Sequence, residues 1–268
     1  MRGYLRGCNC QETVTNHTAP REGPTARRNY VLLLAMNTLY TGLCGMWIMF
    51  FPLYASQSLG LSKTALGLLY TASEVGILTG NLAGGVLADT LGRKKVLMAS
   101  LSASALALAS MLLPGRVPVY AGFPAYFLAV GLGSPAIHAL ALESSPRRIQ
   151  GTLYMLAVRV APSLPPLATL PLAGYLYEQG MYSLLLVIGV ATLALQLLLA
   201  TLLTETETVS VQAGEVSQPV HHVLRRVLRV GDKWLLLLVA AYGLDMLTSN
   251  GLEWYIPVYT WKRPGSRR

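Results

Sequence analysis

The side chains in this sequence with the clearest capacity for chemistry are ionisable residues inside long apolar stretches: Glu74, His138, Arg159 and Asp245. A charge in hydrocarbon costs at least about 2.5 kcal/mol on insertion scales, so such a residue normally meets water, a partner or a ligand. A carboxyl or imidazole group can exchange protons, and a guanidinium group can bind an anion. These four residues are therefore candidate sites for a proton or a solute.

Glu74 and Arg159 are expected at different depths. At about 1.5 Å per helical residue, Glu74 lies about 22 Å inside the boundary marked by Asp89. On the same measure, Arg159 lies about 12 Å inside the boundary marked by Gly151. The two residues thus differ in depth by about 10 Å, and a long arginine side chain can span only part of that distance. A water-filled cavity lined by these charges, paired or not, is therefore favoured over a pair that only neutralises itself.

The remaining candidates have a structural and a functional interpretation. His138 is either a hydrogen-bonded packing residue or a proton or substrate site. Asn37 and Tyr40 either face the same cavity or only bond across helices, as polar residues of membrane helices often do. Asp245 lies about 18 Å inside the boundary marked by Lys233, which adds it to the cavity candidates.

The composition indicates the environment that must position these residues. The chain has 268 residues, of which 53% are hydrophobic and only 12% charged, about half the charged share of a soluble domain. Its formal net charge of +9 does not indicate nucleic-acid binding, because the cations fall in short clusters between apolar stretches. The sequence contains no nucleotide-binding, zinc-protease or serine-hydrolase motif, and its three cysteines form no metal or disulfide framework. We expect a membrane protein that is not an enzyme and has no cofactor, metal or nucleic-acid partner.

Apolar stretches of about 20 residues, enough to cross a bilayer, alternate with short loops that make consecutive helices antiparallel neighbours. We expect spans at about 30–54, 64–88, 96–113, 120–142, 152–177 and 182–203, with a seventh at about 234–259. The expected regions are a disordered basic tail at 1–28, a six-helix bundle at 29–203, a cytoplasmic linker at 204–232 and a further helix with a tail at 233–268.

The placement of Lys and Arg predicts the orientation. One set of helix ends carries the basic tail, Arg93–Lys95 and the cations of the linker. The other set carries only Lys63 and Arg116 before the last residues of the chain. By the positive-inside rule the N-terminus is cytoplasmic. The expected location is the plasma membrane. Seven spans would then place Lys262–Arg268 outside, against the rule.

The loop between the second and third stretches carries a glycine, an acid and three consecutive cations. Gly85 is expected to let two helices approach closely, and Gly92 to reverse the chain. The cations are expected to hold the loop at the cytoplasmic face. An ordinary positive-inside loop is the alternative interpretation. The residues of this motif are Gly85, Asp89, Gly92, Arg93, Lys94 and Lys95.

The spacing Gly-x-x-x-Asp-x-x-Gly-Arg-Lys-Lys resembles the loop between helices two and three of the major facilitator superfamily. The segments Pro135–Arg148 and Pro52–Gly67 are similar to that family's helix-four exit and first outer loop. Thr90 stands where an arginine often follows the aspartate. The similarity extends over about 30–259. It implies an all-α multi-pass membrane protein, a major facilitator-type helical bundle with about seven transmembrane helices.

The resemblance also implies a function: secondary transport of a small solute by alternating access, with a proton as a candidate coupling ion. The motif at Gly85–Lys95 would latch the cytoplasmic side. Because helices eight to twelve are missing from the sequence, we expect that this chain is truncated and does not transport alone. The alternative function is a non-transporting membrane fragment or half-subunit. Such a chain would associate with itself or with a separately encoded second bundle.

Overall fold

A computed structural model describes residues 24–146, 149–204, 237 and 241. Within these residues the chain forms six long helices and no strand. Each of the first six predicted spans corresponds to one of these helices. The predicted seventh span, the linker and Asp245 lie outside the described residues, apart from the two isolated positions. The helices are α1 Pro24–Gln57, α2 Lys63–Leu91, α3 Arg93–Ser110, α4 Arg116–Glu143, α5 Gln150–Glu178 and α6 Tyr182–Thr201.

Successive helices run in opposite directions. The start of α1, the turn between α2 and α3, the end of α4 and the end of α6 are joined by direct contacts. We call this side of the bundle the Gly92 end. Helix α1 begins at Pro24, before the predicted end of the polar tail at residue 28, and proline at a first helical position is favourable.

Four of the described helices, α1, α4, α5 and α6, are long and apolar enough to cross a membrane by themselves. Helices α2 and α3 are not in this group. Many of their positions are Gly, Ser or Thr instead of large apolar residues. Small residues are typical of the contact faces of membrane helices, where they let neighbouring helices approach.

Helix α2 packs closely against α4 through glycines spaced one turn apart. Cβ atoms added at Gly80 and Gly84 would collide with the backbone of Leu128 and Leu132 in α4. One turn earlier, a Cβ at Gly76 would still be in tight contact with the α4 backbone. The two backbones therefore touch over several turns, which larger side chains would prevent.

An aromatic core joins α1 to α4 and α6. The rings of Phe51 and Phe123 stack with their centroids 4.0 Å apart. Trp47 meets Tyr126 edge-on at 5.1 Å, and all four of these side chains are buried. The Tyr182 hydroxyl of α6 donates a hydrogen bond of 3.2 Å to the Trp47 carbonyl. These contacts fix the relative positions of three helices.

Helix α5 is the least regular of the six. A π-helical turn at Leu156–Val160 is followed by a 3-10 turn at Ala161–Ser163, and α-helix resumes at Pro166–Glu178. Prolines at 162, 165 and 166 lack the N–H that continues an α-helix, which explains the interruption. Helix α1 contains a π-helical turn at Tyr40–Cys44.

Candidate functional site

Gly92 forms the turn between α2 and α3. Its φ of 98° lies in a region that residues with a side chain rarely adopt, and it both ends α2 and precedes α3. Within the described residues, the close helix approach lies at Gly80 and Gly84, and an added Cβ at Gly85 would meet no described atom within 4 Å. One residue along a helix rotates the side chain by about 100°, which turns Gly85 away from α4.

The three cations after Gly92 have different surroundings. Arg93 forms an ion pair with Glu143 at the end of α4. The Lys94 ammonium donates hydrogen bonds to the Thr201 and Leu203 carbonyls of the α6 end, at 2.8 and 2.6 Å. Lys95 is exposed. Two of the three cations therefore tie the α2–α3 turn to neighbouring helices.

The start of α1 is tied to the same end of α6. The buried Asn29 amide donates to the Thr204 carbonyl at 2.9 Å and accepts from the Thr204 N–H at 3.1 Å. Arg28 donates to the Leu202 carbonyl at 3.3 Å. These bonds, with those of Lys94, satisfy carbonyls that the end of a helix leaves without partners. Sequence reasoning missed Arg28 and Asn29, because they lie at the edge of the predicted polar tail.

Asp89 and Glu74 share the open side of α2. Both side chains are exposed in the described bundle, and no described residue forms an ion pair with either. Glu74 and Gly85 are separated by about three turns and so lie on one face, with Asp89 one turn beyond Gly85. This face is distinct from the glycine face that packs against α4.

Glu74 and Arg159 do not pair. Both are exposed, and the fixed ion pair weighed as an alternative is not formed between these described residues. Arg159 lies in the π-helical turn of α5. Such turns often occur at functional sites.

Asn37 bonds across helices to the irregular part of α5. The Ala161 N–H bonds to the Leu156 carbonyl in the π-helical turn, and the next residue, Pro162, has no N–H. The Ala157 carbonyl is thereby left without its usual donor. The Asn37 amide supplies that donor at 3.3 Å. Asn37 is thus a residue that stabilises the α1–α5 contact.

Tyr40 also bonds within the bundle. Its hydroxyl lies 2.9 Å from the Tyr126 hydroxyl of α4, and the Cys44 thiol lies 3.3 Å from the same hydroxyl. These groups adjoin the buried aromatic core around Trp47. The structure therefore places Tyr40 in the contact between α1 and α4.

His138 of α4 and Tyr154 of α5 come together where the two helices meet. The His138 Nδ1 atom lies 3.2 Å from the Tyr154 hydroxyl, and the two rings are tilted with centroids 6.0 Å apart. Arg159 lies in the π-helical turn that begins two residues after Tyr154. His138 and Tyr154 are only half-buried, whereas Arg159 is exposed. The arrangement provides two adjacent side chains, His138 and Tyr154, that can donate or accept hydrogen bonds.

Comparison with known proteins establishes the family. Residues 33–264 match the Major Facilitator Superfamily, and the chain belongs to that superfamily. This confirms the resemblance inferred from the loop at Gly85–Lys95 and the all-helical membrane fold. The chain is also similar to the 3-(3-hydroxy-phenyl)propionate transporter of Escherichia coli (strain K12), with 33% identity over 103 residues. The matched part is 38% of this chain and 25% of that relative, so the chain spans a quarter of the relative's length.

Proposed function

We propose that this chain works as part of a secondary transporter that moves a small solute across a membrane by alternating access. The observation that carries the proposal is the superfamily match over residues 33–264. The arrangement of charge supports it, because Glu74 and Arg159 are exposed and unpaired among the described residues. Charges so placed inside membrane helices are expected to line a water-filled path.

In this mechanism residues 29–203 form one rigid bundle that rocks against a second bundle. The bonds from Asn29 and Lys94 to the end of α6 support rigidity, because they join α1, α3 and α6. The Glu74–Asp89 face of α2 and the open side of α5 are the surfaces that we assign to the second bundle. Residues 233–268 would belong to that second bundle. Asp89 would latch against it.

We further propose that the Gly92 end is cytoplasmic, in the plasma membrane. The cluster Arg93–Lys95 supports this orientation through the positive-inside rule. A chain with its native cysteines replaced by serine would carry a single new cysteine, Lys95→Cys or Ser58→Cys. We expect a membrane-impermeant maleimide added outside cells to label Ser58→Cys and not Lys95→Cys. The reverse pattern would contradict the orientation.

Reconstitution of the full chain in liposomes tests the function. Uptake of 3-(3-hydroxyphenyl)propionate, the solute named for the relative, would be measured with and without an imposed proton gradient. Sugars, amino acids and cationic drugs would be tested in parallel. Saturable uptake of any of them supports transport, and dependence on the gradient supports proton coupling. No uptake, together with no solute-dependent change in unfolding temperature, favours the second candidate, a non-transporting fragment or half-subunit that needs a partner. The exposed face of α2 is the observation behind that candidate.

A further inference from the structure

The Gly92 end of the bundle gathers positive charge around the last turn of α6. Arg28 of α1 donates a hydrogen bond of 3.3 Å to the Leu202 carbonyl. Lys94 of α3 donates one of 2.6 Å to the next carbonyl, that of Leu203. The carbonyls at the end of a helix carry partial negative charge, which favours cations there. Two helices that are distant in sequence therefore place a cation at adjacent carbonyls of a third.

Four cations share this position. Arg27 and Lys95, the neighbours of Arg28 and Lys94, are exposed. Bonds to neutral carbonyls leave the charges of Arg28 and Lys94 in place, and both groups keep N–H donors that these carbonyls do not use. None of the four forms an ion pair with a described acid. We call Arg27, Arg28, Lys94 and Lys95, around the end of α6, the basic junction.

The acids described at the Gly92 end do not neutralise the basic junction. Glu143 pairs with Arg93 at the end of α4. Asp89 is exposed on α2 and forms no ion pair with a described cation. The described charge at this end is therefore positive, and an anion is attracted to it.

An open apolar face adjoins the basic junction. Three exposed leucines recur at helical spacing along α6: Leu195, Leu198 and Leu202. Because α6 is long and apolar enough to cross a membrane, this face is expected to meet hydrocarbon. The face ends at the carbonyls that Arg28 and Lys94 contact. On α3, the exposed Lys95 and Leu106 are about three turns apart and so lie on one side of the helix.

We infer that the basic junction binds the phosphate headgroup of an anionic phospholipid, with the acyl chains along the leucine face of α6. Basic clusters beside a membrane helix attract anionic lipids, by about 5-fold in affinity for each Lys or Arg near the surface. Arg28 and Lys94 have N–H donors for the phosphate, and Arg27 and Lys95 add charge. A free phosphate offers the same charge but no acyl chains to cover the leucines. The bound lipid would bridge α1, α3 and α6.

Native mass spectrometry of the full chain in detergent tests the preference for an anionic headgroup. The chain is titrated with dioleoylphosphatidylglycerol and with dioleoylphosphatidylcholine, which has the same acyl chains and no net charge. The measurement includes Glu205 and Glu207, which follow α6 outside the described residues. We expect the first phosphatidylglycerol to bind about 10-fold or more tightly, with the preference decreasing in added salt. Equal affinities for the two lipids would overturn the inference.

The unfolding temperature distinguishes a lipid from a soluble anion. A ligand that binds the folded chain raises this temperature. Phosphatidylglycerol is expected to raise it, whereas inorganic phosphate and glycerol 1-phosphate at the same concentration should leave it unchanged. A rise with either soluble phosphate as large as that with the lipid would refute the lipid assignment.

Paired variants locate the site. Arg27→Gln with Lys95→Gln removes two exposed charges that form no described ion pair, so the fold should be kept. We expect it to weaken phosphatidylglycerol binding by about 10- to 30-fold. Lys63→Gln with Arg116→Gln removes two charges from the opposite end of the bundle and should change binding by less than about 2-fold, because distant charges are screened. Equal weakening in both variants would show that net charge alone attracts the lipid, and would refute the site.

Lipid binding and transport can fail separately. Preferential binding of phosphatidylglycerol that is lost in Arg27→Gln with Lys95→Gln, without uptake in liposomes, would support the lipid site and count against transport by this chain alone. Saturable uptake by a chain with no preference for phosphatidylglycerol would leave transport standing and refute the lipid site.

Discussion

Helices α2 and α5 are held in the bundle by different means. The glycine face of α2 touches the α4 backbone over successive turns, so that Gly80 and Gly84 leave no space for a side chain. Helix α5 is interrupted by prolines, and two of its carbonyls accept hydrogen bonds from Tyr30 and Asn37 of α1. It also packs on α1 where Pro165 meets Gly42. Only 11% of the residues in its most apolar stretch are buried, against 39% in α4.

This contrast distinguishes a tightly packed helix, α2, from a helix with less buried area, α5. Close backbone packing leaves α2 and α4 little freedom to move relative to each other, because protein interiors are close-packed. A helix with little buried apolar area opens at lower free energy. Arg159, which is exposed and lies within a membrane helix, is on the helix with less buried area.

The largest effect is expected where α2 meets the α4 backbone. Gly84→Leu would force a side chain into the backbone of Leu132 and should abolish most of the folded protein, at the upper end of the about 1–3 kcal/mol typical of overpacking or beyond it. The adjacent Gly85→Leu is the matched control, because its side chain has open space. Monodisperse yield in size-exclusion chromatography measures both. Equal yields would remove the distinction between the two faces of α2.

A smaller effect is expected for the bond that holds α5. Asn37→Leu leaves the Ala157 carbonyl without a donor, which should cost about 1–3 kcal/mol. Thr38→Val removes only a bond to Leu34 within the same helix and is the control, with an expected cost below about 0.5 kcal/mol. The free energy of unfolding in mixed micelles gives both values. Hydrogen exchange should increase around Leu156–Val160 in Asn37→Leu and not in Thr38→Val, and similar exchange in both would show that Asn37 does not hold α5.

At the Gly92 end, Lys94→Met should destabilise the chain by about 1 kcal/mol, because carbonyls at the end of α6 lose their donor. Lys95→Met, which changes an exposed side chain, should alter the free energy of unfolding by less than about 0.5 kcal/mol. The pair is compared by the same unfolding assay. If Lys95→Met proves as damaging as Lys94→Met, the contacts of Lys94 do not contribute to stability.

The smallest effect is expected for the ion pair between Arg93 and Glu143. The Arg93 side chain is 21% exposed and the Glu143 side chain 38% exposed, so solvent screens their attraction. A double-mutant cycle with Arg93→Gln and Glu143→Gln should give a coupling energy of about 0.2–1 kcal/mol, decreasing with added salt. A coupling that is larger and independent of salt would mean that this end of the bundle is better shielded from water than the exposure indicates.

The helices and the loop motif could be predicted from the sequence because both depend on local properties. The length of an apolar stretch decides whether it can cross a bilayer, and Gly92 is flanked by such stretches on both sides. The spacing at Gly85–Lys95 indicated the superfamily, which the match over 33–264 confirms. The spacing of Gly76, Gly80 and Gly84 was also visible and could have located the α2–α4 contact.

Other features depend on how each helix is rotated against its neighbours, which local patterns do not specify. A rotation of about 100° per residue distinguishes Gly84, packed against α4, from Gly85, which is open. Tyr40 has a partner in Tyr126, which is distant in sequence. The π-helical turn in α5 rotates the residues after it by a further increment, which regular helical counting does not predict. Contacts between helices set these angles, because the backbones must pack closely. The same contacts must also supply hydrogen-bond donors to the carbonyls that prolines leave without partners.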